Sequence, residues 1–185
     1  MLAGAVDVFL TEADNIDPHP RTSLVTWGTN YSMPISPYTI YQESTVDVSL
    51  PQRLSHNWTQ NRQAITGGIS SLGNLPMMGG TNMSAGLDTA VAELTKPSAS
   101  TMSHKIVILL TDGRWNSGRD PALAAQDAAD AGIVVHTITM LSDDAATMTE
   151  IANITGGKYY DARNEAELRA AFFEIARSLP IVLTE

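Results

Sequence analysis

The chain has 185 residues, 43% apolar and 17% charged, which fits one globular domain with a normal core and excludes a disordered tail. Its net charge of −9, with only 11 scattered Lys and Arg, argues against nucleic acid as a partner, since phosphate binding needs concentrated basic groups. Cysteine is absent, which excludes disulfides, zinc ribbons and thiol catalysis; no apolar run is long enough to span a membrane, and residues 1–10 lack a signal peptide's basic flank.

In chain order, residues 2–13 place Leu2, Val6, Phe9 and Leu10 on one helical face. Residues 16–21 hold two prolines and read as a loop, and 22–27 is a short apolar strand. Residues 28–37 are turn-rich. Residues 45–50 alternate, with Val46, Val48 and Leu50 on one face, as in an antiparallel edge strand. Helices are predicted over 57–72, ending at Gly73, and over 83–95, with Leu87, Val91 and Leu94 on the buried side.

Residues 105–111 carry an uninterrupted apolar run, Ile106 to Leu110, before Asp112-Gly113, as expected of a strand covered on both faces. A helix then follows, capped by Asp120, with Pro121 in its first turn and Gly132 at its end. Residues 133–140 form a second buried strand. Asp143 or Asp144 opens the next helix, which stops at Gly156-Gly157, and 158–160 is a short strand. The last helix starts at Asn164, with Glu167 completing a capping box and Leu168, Ala171, Phe172 and Ile175 as its apolar stripe. This alternation predicts a single α/β domain: a Rossmann-like, mostly parallel sheet with helices on both faces and one antiparallel edge strand.

Ligands of such sheets bind beyond the carboxyl ends of the strands. Asp112 stands there, just past the most apolar strand, where it faces solvent, caps a turn or holds a cation. Gly79-Gly80-Thr81-Asn82 is a second feature: glycines let the backbone turn sharply, and Thr81 offers a hydroxyl oxygen of the kind Mg²⁺ or Ca²⁺ binds. By itself that tetrapeptide also reads as a loop and helix cap.

Taken together, the segments Gly79-Gly80-Thr81-Asn82-Met83-Ser84-Ala85-Gly86-Leu87 and Ile108-Leu109-Leu110-Thr111-Asp112-Gly113 resemble two motifs of the von Willebrand factor type A (VWA) domain family. Residues 23–27, 132–139 and 151–160 are similar to further segments, so the resemblance covers nearly the whole chain. It is nearest in flavour to the VWA regions of bacterial Tad-type pilus-assembly proteins. The resemblance implies a non-catalytic adhesion or protein-interaction domain with a metal-ion-dependent adhesion site. There Thr81 would supply a hydroxyl and Asp112 a carboxylate, directly or through water, to Mg²⁺ (or Mn²⁺ or Ca²⁺). A protein partner's acidic residue would fill the exchangeable position. Asn82, Gly113 and Asn116 lie beside these residues and are given no metal role. The resemblance also implies an extracytoplasmic or cell-surface location, while VWA domains of chelatase-like and proteasomal assemblies keep a cytoplasmic one open.

The family's Asp-x-Ser-x-Ser motif, at the end of its first strand, does not occur here. Residues 1–13 already read as the first helix, so the expectation is an N-terminally truncated domain lacking its first central strand. Asp7, Thr11 and Asp14 do not reproduce the motif's spacing. Residues 22–27 and 105–111 would then each present an unpaired edge. Three arrangements follow: a truncated or misassigned start, direct pairing of the two strands, or a second chain filling the place by self-association. Thr81 and Asp112 alone give two oxygen ligands, so weak or no cation binding is expected of this chain.

The enzyme alternative is a magnesium-dependent phosphotransfer domain of receiver or hydrolase type, in which a strand-ending Asp also holds the metal. It needs a Lys placed after a later strand, and neither Lys105 nor Lys158 fits. No Gly-x-Gly-x-x-Gly, phosphate loop or Gly-x-Ser-x-Gly elbow occurs. His19, His56, His104 and His136 are far apart, and His136 reads as a hydrogen-bonded core residue. Trp115 either contacts a partner or packs on its own loop.

Overall fold

The computed structural model describes residues 1–16, 20–29, 44–50, 58–72, 79–99, 104–141 and 144–179. In order, the elements are α1 (Leu2–Ile16), β1 (Leu24–Trp27), β2 (Ser44–Val48), α2 (Trp58–Leu72), α3 (Met83–Leu94), β3 (Lys105–Thr111), α4 (Pro121–Asp130), β4 (Ile133–Met140), α5 (Ala145–Thr155), β5 (Tyr159–Ala162) and α6 (Glu165–Arg177). The expected turns beyond Thr29, the stop at Gly73, and Asp143, His19 and His56 lie outside the described residues.

Period-2 alternation decides how the strands are covered. Ile106, Ile108 and Leu110 of β3 pack with Ala5 of α1 and with Leu168, Ala171, Phe172 and Ile175 of α6. Val107 and Leu109, one step out of phase, pack with Met83 and Leu87 of α3, Ala124, Ala125 and Ala128 of α4, and Met148 and Ile151 of α5. The result is three layers. The small residues of α4 let that helix lie close to its neighbours, while Leu87, Ile151, Leu168 and Ile175 are wholly buried. Each such aliphatic side chain contributes roughly 1.5–3 kcal/mol by leaving water. Phe9 meets Phe172 edge to face, with centroids 6.2 Å apart, which clasps α1 to α6.

The strands form two sheets. β3, β4 and β5 are parallel neighbours, with Thr111 opposite Thr139 and Met140 opposite Ala162. β1 and β2 form an antiparallel pair, Trp27 opposite Ser44. The α/β class with one antiparallel edge strand thus holds, and the strands fall into two sheets between the segments expected to present unpaired edges. β1 and β3 do not pair with each other, which excludes direct pairing of residues 22–27 with 105–111. Helix α3 packs against both, and its Gly86 makes this close approach to β1 feasible: a Cβ there would stand 2.7 Å from the Trp27 ring. β3 is correspondingly less covered than β4. Of its residues only Leu109 and Thr111 are buried, whereas Ile133 and Val135 to Thr139 all are.

The helix ends follow the predicted chemistry with two changes. Asp120 accepts from Ala122 N (2.9 Å) with Pro121 behind it, and Gly156 closes α5 in the left-handed region at φ 76°. Asn164 accepts from Glu167 N (2.9 Å), but the Glu167 carboxylate accepts from Arg163 N (2.7 Å) and from the Asn164 side-chain amide (2.7 Å) instead of from the Asn164 backbone N–H. Asp144 precedes α5 yet makes no side-chain cap bond, because its carboxylate is engaged elsewhere.

Candidate functional site

Asp112 leaves β3 at the carboxyl end of the parallel sheet, where the buried Thr111 shapes its exit. The Thr111 hydroxyl accepts from Gly113 N (3.1 Å) and donates to Gly113 O (3.0 Å), turning the chain sharply just beyond the strand. That turn carries Gly113 against the loop before α3, so close that a Cβ on it would lie 2.7 Å from the Thr81 hydroxyl. The two residues singled out by sequence, Thr81 and Asp112, are therefore neighbours.

The Thr81 loop is held from both sides. Thr81 N donates to the Asn116 side-chain oxygen (2.9 Å), and Asn116 N donates back to Thr81 O (3.3 Å). Gly80 N donates to the Thr29 hydroxyl (2.8 Å), which fastens the loop to the chain leaving β1. The buried Asn82 caps α3, accepting from Ala85 N (3.1 Å) and from the Ser84 hydroxyl (2.9 Å). Gly118, at φ 81°, passes so near that a Cβ would stand 2.5 Å from Asn82 Cγ. Asn82, Gly113 and Asn116 are thus the braces of the site.

Thr81 and Asp112 differ from their surroundings in having nothing to hold. Asp112 is exposed, and among the described residues neither its carboxylate nor the Thr81 hydroxyl has a hydrogen-bond or ion-pair partner. Further along the same loop, Arg119 is occupied by Asp88 and Asp127, whose hydrogen bonds and charges raise its pKa. Among the described residues no three His, Asp or Glu converge. The donor set is then one carboxylate and one hydroxyl, which suits a hard cation that keeps most of its water.

Other candidates fall away from this point. Lys105 opens β3 opposite Ile133, at the far end of the strand from Asp112. Lys158 precedes β5, its amide donating to His136 Nδ1 (3.2 Å). His136 is buried as expected of a core residue, and burial, reinforced by the Lys158 charge, holds its imidazole below the usual histidine pKa. Trp115 combines both of its expected readings: its indole N–H donates to Ser117 O (2.7 Å), packing it on its own loop, yet it is 38% exposed. Two contributors escaped sequence reasoning, Thr29 and Asp144. Thr29 sits in a segment that reads only as a turn. Asp144 reads as a cap, and nothing local signals that it accepts from Trp115 N (2.8 Å).

Gly113→Ala is expected to cost about 1–2 kcal/mol, because the methyl must displace the Thr81 side chain. Chemical denaturation checks the cost, and amide resonances of Thr81 and Asn116 are expected to shift with little change beyond the three loops.

A family model described as von Willebrand factor type A domain matches residues 42–174. Comparison with curated proteins finds no match. Among solved structures, the pilus adhesin SpaC from Lactobacillus rhamnosus GG superposes with a TM-score of 0.69 at 20% identity, covering 95% of this chain and 27% of that one. The von Willebrand factor type A protein from Catenulispora acidiphila gives 0.64 at 21% identity, over 94% of this chain and 37% of that one. Proximal thread matrix protein 1 from the mussel byssus, with a zinc-occupied MIDAS motif, gives 0.64 at 16% identity, over 94% and 40%. The chain thus spans well under half the length of each of these structures, and at such identities the likeness is one of fold.

Proposed function

The chain belongs to the von Willebrand factor type A domain family, and we propose that it is a non-catalytic protein-interaction or adhesion domain working through Thr81 and Asp112. The observation that supports this reading is the close approach of Gly113, next to the exposed Asp112, to the Thr81 hydroxyl, neither Asp112 nor that hydroxyl having a side-chain partner among the described residues. A divalent cation there, Mg²⁺ or else Mn²⁺ or Ca²⁺, would supply an open coordination position for an acidic side chain. Asp112 contributes the negative charge, and Thr81 contributes a neutral oxygen that Asn116 and Gly113 keep in place. The partner is a protein offering an Asp or Glu. A place in a bacterial pilus-assembly or other cell-surface protein belongs to the same reading, supported by the adhesin and thread-protein folds it resembles. Self-association through the edges of β1 and β3 is supported by their not pairing with each other.

With two protein oxygens the expected affinity is low, with a dissociation constant of about 10⁻³ M. Titration calorimetry with Mg²⁺ and Mn²⁺ tests the reading. Weak saturable binding by the chain, lost in Asp112→Ala, is the expected result; equal binding by both would remove Asp112 from the site. Incubation with acetyl phosphate separates the phosphotransfer alternative, because only that alternative expects a covalent phosphate on Asp112.

A further inference from the structure

The connection from α5 to β5 is fastened to the edge of β4 just where strand pairing begins. The Thr155 hydroxyl accepts from Val135 N (2.9 Å), and Thr137 N donates to Lys158 O (2.9 Å). Between these two bonds, Lys158 N donates to Nδ1 of His136 (3.2 Å). That bond needs a nitrogen with a free lone pair, so the imidazole is neutral and carries its proton on Nε2. A titratable side chain thus supplies the acceptor for a backbone amide at the start of β5.

The surroundings of His136 offer a positive charge nothing. It is 6% exposed, opposite Ile108 of β3, and by alternation shares with Ile138 the face that α1 and α6 cover. The titratable groups of these covering elements are engaged with one another. Asp7 and Asp14 of α1 act on Arg62, Glu165 of α6 pairs with Arg169, and Glu174 of α6 acts on Tyr160 of β5. The charge that reaches His136 is the Lys158 cation, and no carboxylate among the described residues bonds either ring nitrogen. Burial and Lys158 both oppose protonation.

We infer that His136 is an acid-sensitive clasp, which holds the α5–β5 connection on β4 while neutral and releases it on taking up a proton. A proton from solvent on Nδ1 consumes the lone pair that the Lys158 N–H occupies, and sets two donors against each other beside a like charge. The release is local in effect, because β5 is a four-residue strand paired on one side only, and one lost anchor is a large share of what holds it. The sign follows from the linkage. The proton binds the released state, so the clasp is shut above the ordinary histidine pKa, about 6.5, and loosens as pH falls below it. This device does not involve Thr81 or Asp112 and stands apart from the cation reading.

Amide hydrogen exchange, followed residue by residue in the full chain and in His136→Gln, tests the clasp. Glutamine offers an acceptor oxygen that does not titrate, and comparing the two proteins at one pH removes the intrinsic pH dependence of exchange. At Lys158 and Thr137 the ratio of rates, wild type over variant, is expected to rise about tenfold between pH 7.5 and pH 5.5. At Thr95 and Ala131, whose amides bond within α3 and α4, it is expected to stay level. A level ratio at Lys158 overturns the inference. An equal rise at all four amides also overturns it, since the effect is then global unfolding. The imidazole nitrogen shifts of the wild type give a reading that does not depend on the variant's folding. His136 is expected to remain the neutral Nε2–H form in the folded protein at pH 5.5, and an ordinary titration midpoint near 6.5 overturns the inference.

Discussion

Gly157→Ala is expected to be strongly destabilising, far more than the same change at the neighbouring Gly156. Gly157 follows the left-handed Gly156 and runs directly against the backbone of β4, the most deeply buried strand. A Cβ there would fall inside contact distance of the Val135 carbonyl oxygen, 2.6 Å from its carbon and 3.2 Å from His136 N. These are backbone atoms in the middle of a sheet, with no rotamer to escape into, and the Gly157 amide is itself committed to Ala152 O (2.8 Å). Overpacking without relief costs about 3 kcal/mol or more, a large share of a domain's usual stability. Gly156→Ala is the control. Its left-handed φ of 76° is strained for alanine but nothing lies within 4 Å, so about 1 kcal/mol is expected. Urea denaturation of both variants reads the difference, and equal costs would mean that the approach to Val135 is not tight.

Glu93→Ala is expected to cost about 2–4 kcal/mol. The carboxylate is buried beneath α3, accepting from the Ser49 hydroxyl (2.6 Å), from Leu50 N (2.7 Å) and from Lys96. Removing it strands the Leu50 amide and frees the end of β2. Burial alone would raise its pKa, but the Lys96, Ser49 and Leu50 hydrogen bonds outweigh burial and hold it below the ordinary glutamate value. The sign of the pH effect follows: stabilisation is complete above the unfolded glutamate pKa, about 4.3, and disappears as pH falls through the lower folded value. The gap in stability between the wild type and Glu93→Ala is therefore expected to be full at pH 7 and to shrink below about pH 4. A gap that does not change with pH would mean that Glu93 is not held as the anion.

These two residues mark where the sequence stops being legible. The strand 105–111, the strand 133–140, the cap at Asp120 and the stop at Gly156 are local in cause, being read from apolar runs and from single residues with special backbone or capping chemistry. The observed bounds of β3 and β4 accordingly match. Glu93 reads as an exposed position of a helix whose buried side is Leu87, Val91 and Leu94; its partners lie at Ser49 and Leu50, beyond any local window. The division into two sheets follows the gap expected between residues 22–27 and 105–111, whereas which of the three arrangements the chain adopts depends on pairing that no single strand encodes. At the site, Thr81 and Asp112 were identifiable because their segments resemble known motifs, while Asn116 was noticed only as a neighbour. Thr29 and Asp144 act through bonds to residues far along the chain.

The claim on which the account turns is that one divalent cation settles between Thr81 and Asp112. Mn²⁺-induced broadening of amide resonances measures this directly, since it detects weak sites and locates them. Broadening is predicted to begin at residues 80–82 and 112–116 and to vanish from them in Asp112→Ala. Broadening spread evenly over the acidic surface, or centred on Asp88 and Asp127, would contradict the account.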